Sequence, residues 1–394
     1  MSLSDASPLL PLFVARWTLL SLSLGVAVFS PAASAQSSQD ACVLGKGSLE
    51  FKGRLGISAL TDGKTPLKTG IRTPTVDTGS AVLAIPKALI NNAKPILSQK
   101  ERPSPDATPC VIYSSSGAKL AGEWVRAPVS FFDDGAPRGK IVPNMPVLSV
   151  LYSCHAPKAD SGKASTPAVT SEARKLCRNE IAPSDICVEL DDTSTVEMMG
   201  VQFGHIGVSH EYNALLQLAR SQGMSPGYIF SDGQLTVGLT EENTRDFTWT
   251  QLTPSSISRP QSPEWAPPSA CVRIGTGSNP WTSPSGELLV DTGLTQMYLS
   301  VPETSWPDTE KLAPGTPITI LAPCNSSTPP VLSYSFEMPA AGAAQAPAPS
   351  KVVLEHPKKG GVFINTGRHL LEQWDYAYNA QCGRVGFKRR STKP

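Results

Sequence analysis

The sequence predicts a mostly β chain built from a duplicated unit, and three observations carry that expectation. One pattern occurs twice: Thr75-Val76-Asp77-Thr78-Gly79-Ser80, running on through Leu83 and Ile85 to Pro86, and Leu289-Val290-Asp291-Thr292-Gly293-Leu294, running on through Leu299 and Val301 to Pro302. Elsewhere, short apolar runs lie between turn residues, and the 37 prolines and 31 glycines are scattered as turns between many short strands require. Finally, 394 residues can bury a sizeable core and are enough for two lobes.

Each copy of the pattern is an apolar strand ending in Asp-Thr-Gly, followed by a second apolar run closed by proline. Asp-Thr-Gly is also ordinary turn chemistry, but surface turns do not need flanks this apolar. Each copy therefore contributes one aspartate to a shared site. Two carboxylates a few ångströms apart cannot both ionise cheaply, so such a pair holds one shared proton over a wide acidic range. One carboxylate can deprotonate a water lying between them while the other protonates a substrate carbonyl. Gly79 and Gly293 let the backbone approach and bring N–H groups to the carboxylates. Thr78 and Thr292 offer hydroxyls that can bond across the junction.

On these residues the chain resembles the pepsin-like, two-lobed aspartic peptidases, from about Leu49 to Phe387. Val111-Ile112-Tyr113 through Gly117, Leu120, Gly122 and Trp124-Val125 looks like that family's flap hairpin, which would make Tyr113 the tyrosine closing over bound peptide. Met198-Met199-Gly200 looks like the apolar-apolar-glycine element beneath the first active-site loop. Gly233-Gln234-Leu235-Thr236-Val237-Gly238, Phe247-Thr248-Trp249, and the tail from Gly367 to Asn379 with Arg384-Val385-Gly386-Phe387 resemble its inter-lobe and final strands. The resemblance implies a bilobal β fold and an aspartic endopeptidase, with Asp77 and Asp291 catalytic and Ser80 orienting Asp77. The substrate would be a peptide or protein lying extended in the cleft. It implies no metal and no cofactor.

The departures from the family pattern define the alternative, a catalytically silent binding or inhibitor protein on the same scaffold. Leu294 stands where Ser or Thr usually follows the second Asp-Thr-Gly, so Asp291 is expected to lack one partner. Ser114-Ser115-Ser116-Gly117 replaces the usual flap tip, and the second apolar-apolar-glycine element is the more polar Asn365-Thr366-Gly367.

Charged residues are 17% of the chain and the net charge is +1, with no basic stripe, so nucleic acid is not an expected partner. Arg16 precedes an apolar stretch from Trp17 to Phe29 and the small-residue site Ala33-Ser34-Ala35, so residues 1–35 are expected to be a cleaved signal peptide. No later segment suits a membrane span, and the expected product is exported, soluble and monomeric. Only about ten residues separate the cleavage site from the first recognisable strand, so export without a zymogen stage is expected. Eight cysteines in an exported chain favour up to four disulfides. Their spacing leaves connectivity open, with Cys324–Cys382 the expected pair in the second lobe.

The expected organisation is a first lobe over 45–250, a linker over 251–269 and a second lobe over 270–390. Residues 155–185 read as a surface excursion, Glu211 to Arg220 as a helix, Pro339 to Pro349 as an insertion, and Leu370-Leu371 with Trp374 as a short helix. Other chemistries fit less well. Gly207-Val208-Ser209-His210-Glu211 lacks the last glycine of a serine-hydrolase elbow, and His210-Glu211 lacks a second histidine at zinc-protease spacing. His205, His210, His356 and His369 show no paired spacing and read as structural or exposed. Gly275-Thr276-Gly277 reads as a hairpin, and Asn325-Ser326-Ser327 is a sequon relevant only in a eukaryotic host.

Overall fold

The computed structural model describes residues 42–391, apart from 67–69, 104–106, 114–115, 134–138, 158–166, 195–197, 204–207, 257–262, 276–279, 303–311, 325–328, 341–346 and 358–359. The expected signal peptide, Ser114-Ser115 of the flap tip, His205 and the sequon lie outside the described residues, as does most of the expected insertion.

Two long strands, Ala118–Phe132 and Lys140–His155, form the spine of the first half. They pair antiparallel from Lys119↔Cys154 to Phe131↔Lys140, with register shifts after Ala121 and Ala127. The first shift falls where a side chain on Gly122 would run into the backbone of Ser149 and Val150, so only glycine allows this approach. Gly56–Ser58 and Cys110–Tyr113 flank one strand of the spine, while Ala84–Pro86 and Ile186–Glu189 flank the other.

The second half has its own sheet. Its order runs Leu332–Glu337, Pro317–Ala322, Ser269–Ile274, Gly286–Leu289, Phe363–Asn365, Gln296–Ser300, Lys351–Glu355. Burial alternates strictly along Pro317–Ala322 and Leu332–Glu337, so this region has one face on the core and one toward solvent.

A six-stranded sheet joins the halves, in the order Leu49–Phe51, Gln234–Leu239, Ser225–Ser231, Trp374–Asn379, Arg384–Arg389, Thr248–Gln251. Four strands come from before the expected linker and two from the C-terminal tail. All six residues of Trp374–Asn379 are buried, because the strand runs through the middle of the sheet. Two residues of the expected linker are anchored here. Glu264 is buried and accepts from Ser209 Oγ at 2.9 Å and His210 N at 2.8 Å. Trp265 Nε1 donates to Ala380 O at 2.7 Å. His210 shares a 2.5 Å hydrogen bond between its Nε2 and the Tyr378 hydroxyl, and its Nδ1 lies 3.2 Å from Glu264 Oε2, while burial pushes its pKa down to about 3.

Local structure departs from expectation in three places. The helix read from Glu211 to Arg220 forms over Ala214–Ser221, because Asn213 caps it by accepting from Leu215 N and Leu216 N, and a 3-10 turn over His210–Tyr212 precedes it. The excursion over 155–185 contains a helix, Pro167–Cys177, whose Cys177 is tied to Cys110. The short helix near Leu370 is a 3-10 turn over Arg368–Glu372.

All eight cysteines pair, as Cys42–Cys382, Cys110–Cys177, Cys154–Cys187 and Cys271–Cys324. The expected Cys324–Cys382 pair does not form. Ser269–Ile274 runs antiparallel to Pro317–Ala322 with Cys271 opposite Leu321, which brings Cys271 to Cys324. Cys382 instead sits in the turn after Trp374–Asn379, within the joining sheet, where Cys42 arrives. That bond closes a separation of 340 residues, so on loop-entropy grounds it restricts the unfolded chain most. Among the described residues no helix is long and apolar enough to cross a membrane.

Candidate active site

Each Asp-Thr-Gly loop is built the same way. Thr75–Asp77 pairs parallel with Met198–Gly200, placing Gly200 opposite Asp77. Gly286–Leu289 pairs parallel with Phe363–Asn365, placing Asn365 opposite Leu289. Gly200 N donates to Val82 O at 3.0 Å, Val201 N to Asp77 O at 2.8 Å and Gln202 N to Ser80 O at 2.8 Å, closing the first loop over its crossing strand. A side chain on Gly200 would strike the backbone from Ser80 to Val82. In the second loop Thr366 N donates to Leu289 O at 2.9 Å and Arg368 N to Leu294 O at 2.8 Å. Gly367 takes φ +62°, and a side chain there would meet Gln296 O.

The loops meet through their threonines. Thr78 N donates to Thr292 Oγ1 and Thr292 N to Thr78 Oγ1, each at 3.0 Å. Each hydroxyl then donates to the opposite strand, Thr78 Oγ1 to Val290 O and Thr292 Oγ1 to Val76 O, both at 2.5 Å. Every donor in this buried junction is used, which makes it rigid. The expected cross-junction role of both threonines is thus present as geometry.

The glycines set how closely the carboxyl groups approach. Gly79 N donates to Asp77 Oδ1 at 2.7 Å and Gly293 N to Asp291 Oδ1 at 2.9 Å. A Cβ on Gly79 would overlap the Asp291 carboxylate, and one on Gly293 would lie 2.5 Å from Asp77 Oδ1. Each glycine therefore leaves the space that the opposite aspartate fills. Asp77 is 3% exposed and Asp291 4%, and the two carboxyl groups lie close enough for the charge of Asp77 to act on Asp291. Burial, and then the charge of Asp77, push Asp291 up to about 7. The pair thus keeps one proton well above the ordinary carboxylate range.

Two outer contacts differ from expectation. The Ser80 hydroxyl is buried without a hydrogen-bond partner among the described residues, and it makes no contact that orients Asp77. The Asp77 Oδ1 is already engaged by Gly79. Asp291, expected to lack a partner because of Leu294, receives one from another strand: Asn365 Nδ2 donates to its Oδ2 at 2.7 Å. The polar character of Asn365-Thr366-Gly367 was the signal for this contact, but only the strand register points Asn365 at the carboxylate.

A 660 Å³ cleft opens over the pair. Tyr113 lines it from the Cys110–Tyr113 hairpin strand, where it sits opposite Ala118. Trp124 and Val82 also line it from the first half, and Tyr298, Phe363 and Leu294 from the second. Glu355 is its only charged lining residue other than the aspartates among the described residues. Tyr298, Phe363 and Glu355 carried no motif in the sequence, because they reach the cleft only through sheet order. The described residues hold no cluster of three or more His, Cys, Asp or Glu side chains suited to a metal ion.

Two β halves, a joining sheet and a paired-carboxylate junction make this the bilobal fold of the pepsin-like aspartic peptidases. No protein-family model matches the chain, and no curated protein matches it. Among solved structures it is similar to an aspartic proteinase from Irpex lacteus, with TM-score 0.47 and 14% identity over 88% of this chain and 98% of that one. It is also similar to basic 7S globulin from soybean, with TM-score 0.45 and 14% identity over 86% and 95%. A third similar structure is edgp, with TM-score 0.46 and 13% identity over 86% and 95%. At these identities and TM-scores none of the likenesses bears on activity.

Proposed function

We propose that this protein is an exported aspartic endopeptidase that hydrolyses peptide bonds through Asp77 and Asp291. The observation that carries the reading is the buried carboxyl pair, each group set against the glycine of the opposite loop and locked by reciprocal Thr78 and Thr292 contacts. With one proton on the pair, the ionised carboxylate takes a proton from a water between them as that water attacks the carbonyl carbon. The protonated carboxyl group gives its proton to the carbonyl oxygen, producing a gem-diol. Proton transfer to the amide nitrogen then releases the two products. The burial that raises Asp291 keeps the singly protonated form populated toward neutral pH. Tyr113 closes over a peptide held extended in the cleft. Ala33-Ser34-Ala35 and the complete pairing of the cysteines support export.

A second reading, a binding protein on the same scaffold, is favoured by Leu294 and by the unpartnered Ser80 hydroxyl. Peptide-library cleavage from about pH 3 to 7 separates the two readings. The proposed enzyme cleaves and is blocked by a pepstatin-like transition-state mimic, and Asp291→Asn lowers its rate roughly 10²- to 10⁴-fold. A folded protein that cleaves nothing across that range is the binding scaffold.

A further inference from the structure

The two aspartates are held unequally. Asp77 receives Gly79 N–H on Oδ1, and the Ser80 hydroxyl beside it is buried without a partner among the described residues. Asp291 receives the matching Gly293 N–H on Oδ1, and its Oδ2 takes the Asn365 amide as well. Asn365 is itself buried. Its amide has one workable orientation, because its Oδ1 accepts from Gly367 N at 3.0 Å and leaves the NH₂ end facing Asp291. That Gly367 N–H comes from two residues further along the same segment, so one crossing element supplies both the donor and the group that orients it.

We infer that Asn365 is the positioning residue of the second aspartate, supplying from the crossing strand the outer-oxygen donor that Leu294 cannot provide, and thereby setting the pH range in which the pair works. The catalytic consequence rests on the aspartic-peptidase reading, whereas the hydrogen bond and its effect on Asp291 do not.

The chemistry of the donor matters. A serine or threonine hydroxyl can donate to a carboxylate or turn and accept from a carboxylic acid, but a primary amide nitrogen only donates. Asn365 therefore favours the ionised form of Asp291, opposing burial and the charge of Asp77, which both favour the protonated form. The other ionisable side chains lining the cleft are Tyr113 on the hairpin strand, Tyr298 on Gln296–Ser300 and Glu355 at the end of Lys351–Glu355. None of these is a cation, so among the described lining residues no basic group performs the same task.

Asn365→Leu removes the donor at similar side-chain size. The expected result is a kcat about 10- to 100-fold lower with KM little changed, since the lost bond is to a charged group. Both limbs of the pH profile should move to higher pH, by on the order of one unit. Leu294→Thr placed on Asn365→Leu should recover part of the loss by returning a hydroxyl donor. A folded Asn365→Leu with unchanged kcat and unchanged limbs overturns the inference. Titration of the Asp291 carboxyl carbon by NMR, in wild type and variant, gives a second readout that needs no turnover. An upward shift on losing Asn365 supports the inference, and an unshifted titration overturns it. If Asn365→Leu does not fold, Asn365→Ser, too short to reach, carries the same expectation. A wild type that cleaves nothing would defeat the peptidase reading while the NMR titration still decides the role of Asn365.

Discussion

The loops carrying Asp77 and Asp291 share a backbone and differ in their supports. In both, a parallel crossing strand lies beneath, a glycine N–H holds the inner oxygen, and a threonine reaches across. In the first loop the hydroxyl after Asp-Thr-Gly is present and idle. In the second it is absent, and an amide from the crossing strand stands in. Pseudo-symmetry therefore extends to what the backbone and the junction threonines enforce, and stops at side chains whose partners can be drawn from elsewhere. A missing motif residue is thus weak evidence for a missing function, because the same donor can arrive from a neighbouring strand.

The strongest test of the symmetric part is Gly79→Ala against Gly293→Ala. Each new methyl meets the carboxylate of the opposite loop, so both variants should lose activity and each should lose on the order of 1–3 kcal/mol in denaturant unfolding. A large difference between them would break the symmetry of the junction.

The next test concerns the proton. Asp291 is raised from an ordinary 3.8 to about 7 in the folded protein, so the fold favours its protonated form. The sign follows: this stabilisation is fully present below the unfolded pKa and is lost as pH rises through the folded one. Wild type should lose stability between about pH 4 and 7, on the order of a few kcal/mol, while Asp291→Asn stays flatter across that range. Parallel pH-dependent melts of the two proteins measure it, and parallel curves would place the shared proton elsewhere.

The smallest effect should come from the idle hydroxyl. Ser80→Ala removes a buried group with no partner, so its thermal midpoint should be unchanged or slightly raised. A clear drop would reveal a bond from Ser80 and bring the two loops closer to true symmetry.

The fold and both aspartates were legible because they rest on local pattern. An apolar run ending in Asp-Thr-Gly specifies strand, turn and carboxylate together, and a repeat of it specifies a duplicated unit. Thr78, Thr292, Gly79 and Gly293 were legible for the same reason, each lying beside its aspartate in the chain. The helix Pro167–Cys177 was missed although Val169, Ala173, Leu176 and Cys177 recur at helical spacing and form its packed face, because those apolar residues are few and small among polar neighbours. The disulfide partner of Cys382 was misplaced because pairing depends on which strands share a sheet, and its strand joins one begun far earlier in the chain.

By itself, the sequence determined the mostly β architecture, the identity of the two carboxylates and the residues that brace them, since each is encoded within a few positions of its neighbour. Only the tertiary structure decided the partner of each cysteine, the idleness of Ser80, the amide donated by Asn365 and the retained proton on the pair. Those depend on how segments distant in the chain are brought together, 33 to 340 residues apart for the disulfides and 74 for Asn365 and Asp291, and on burial that exists only once the chain has folded over the carboxylates.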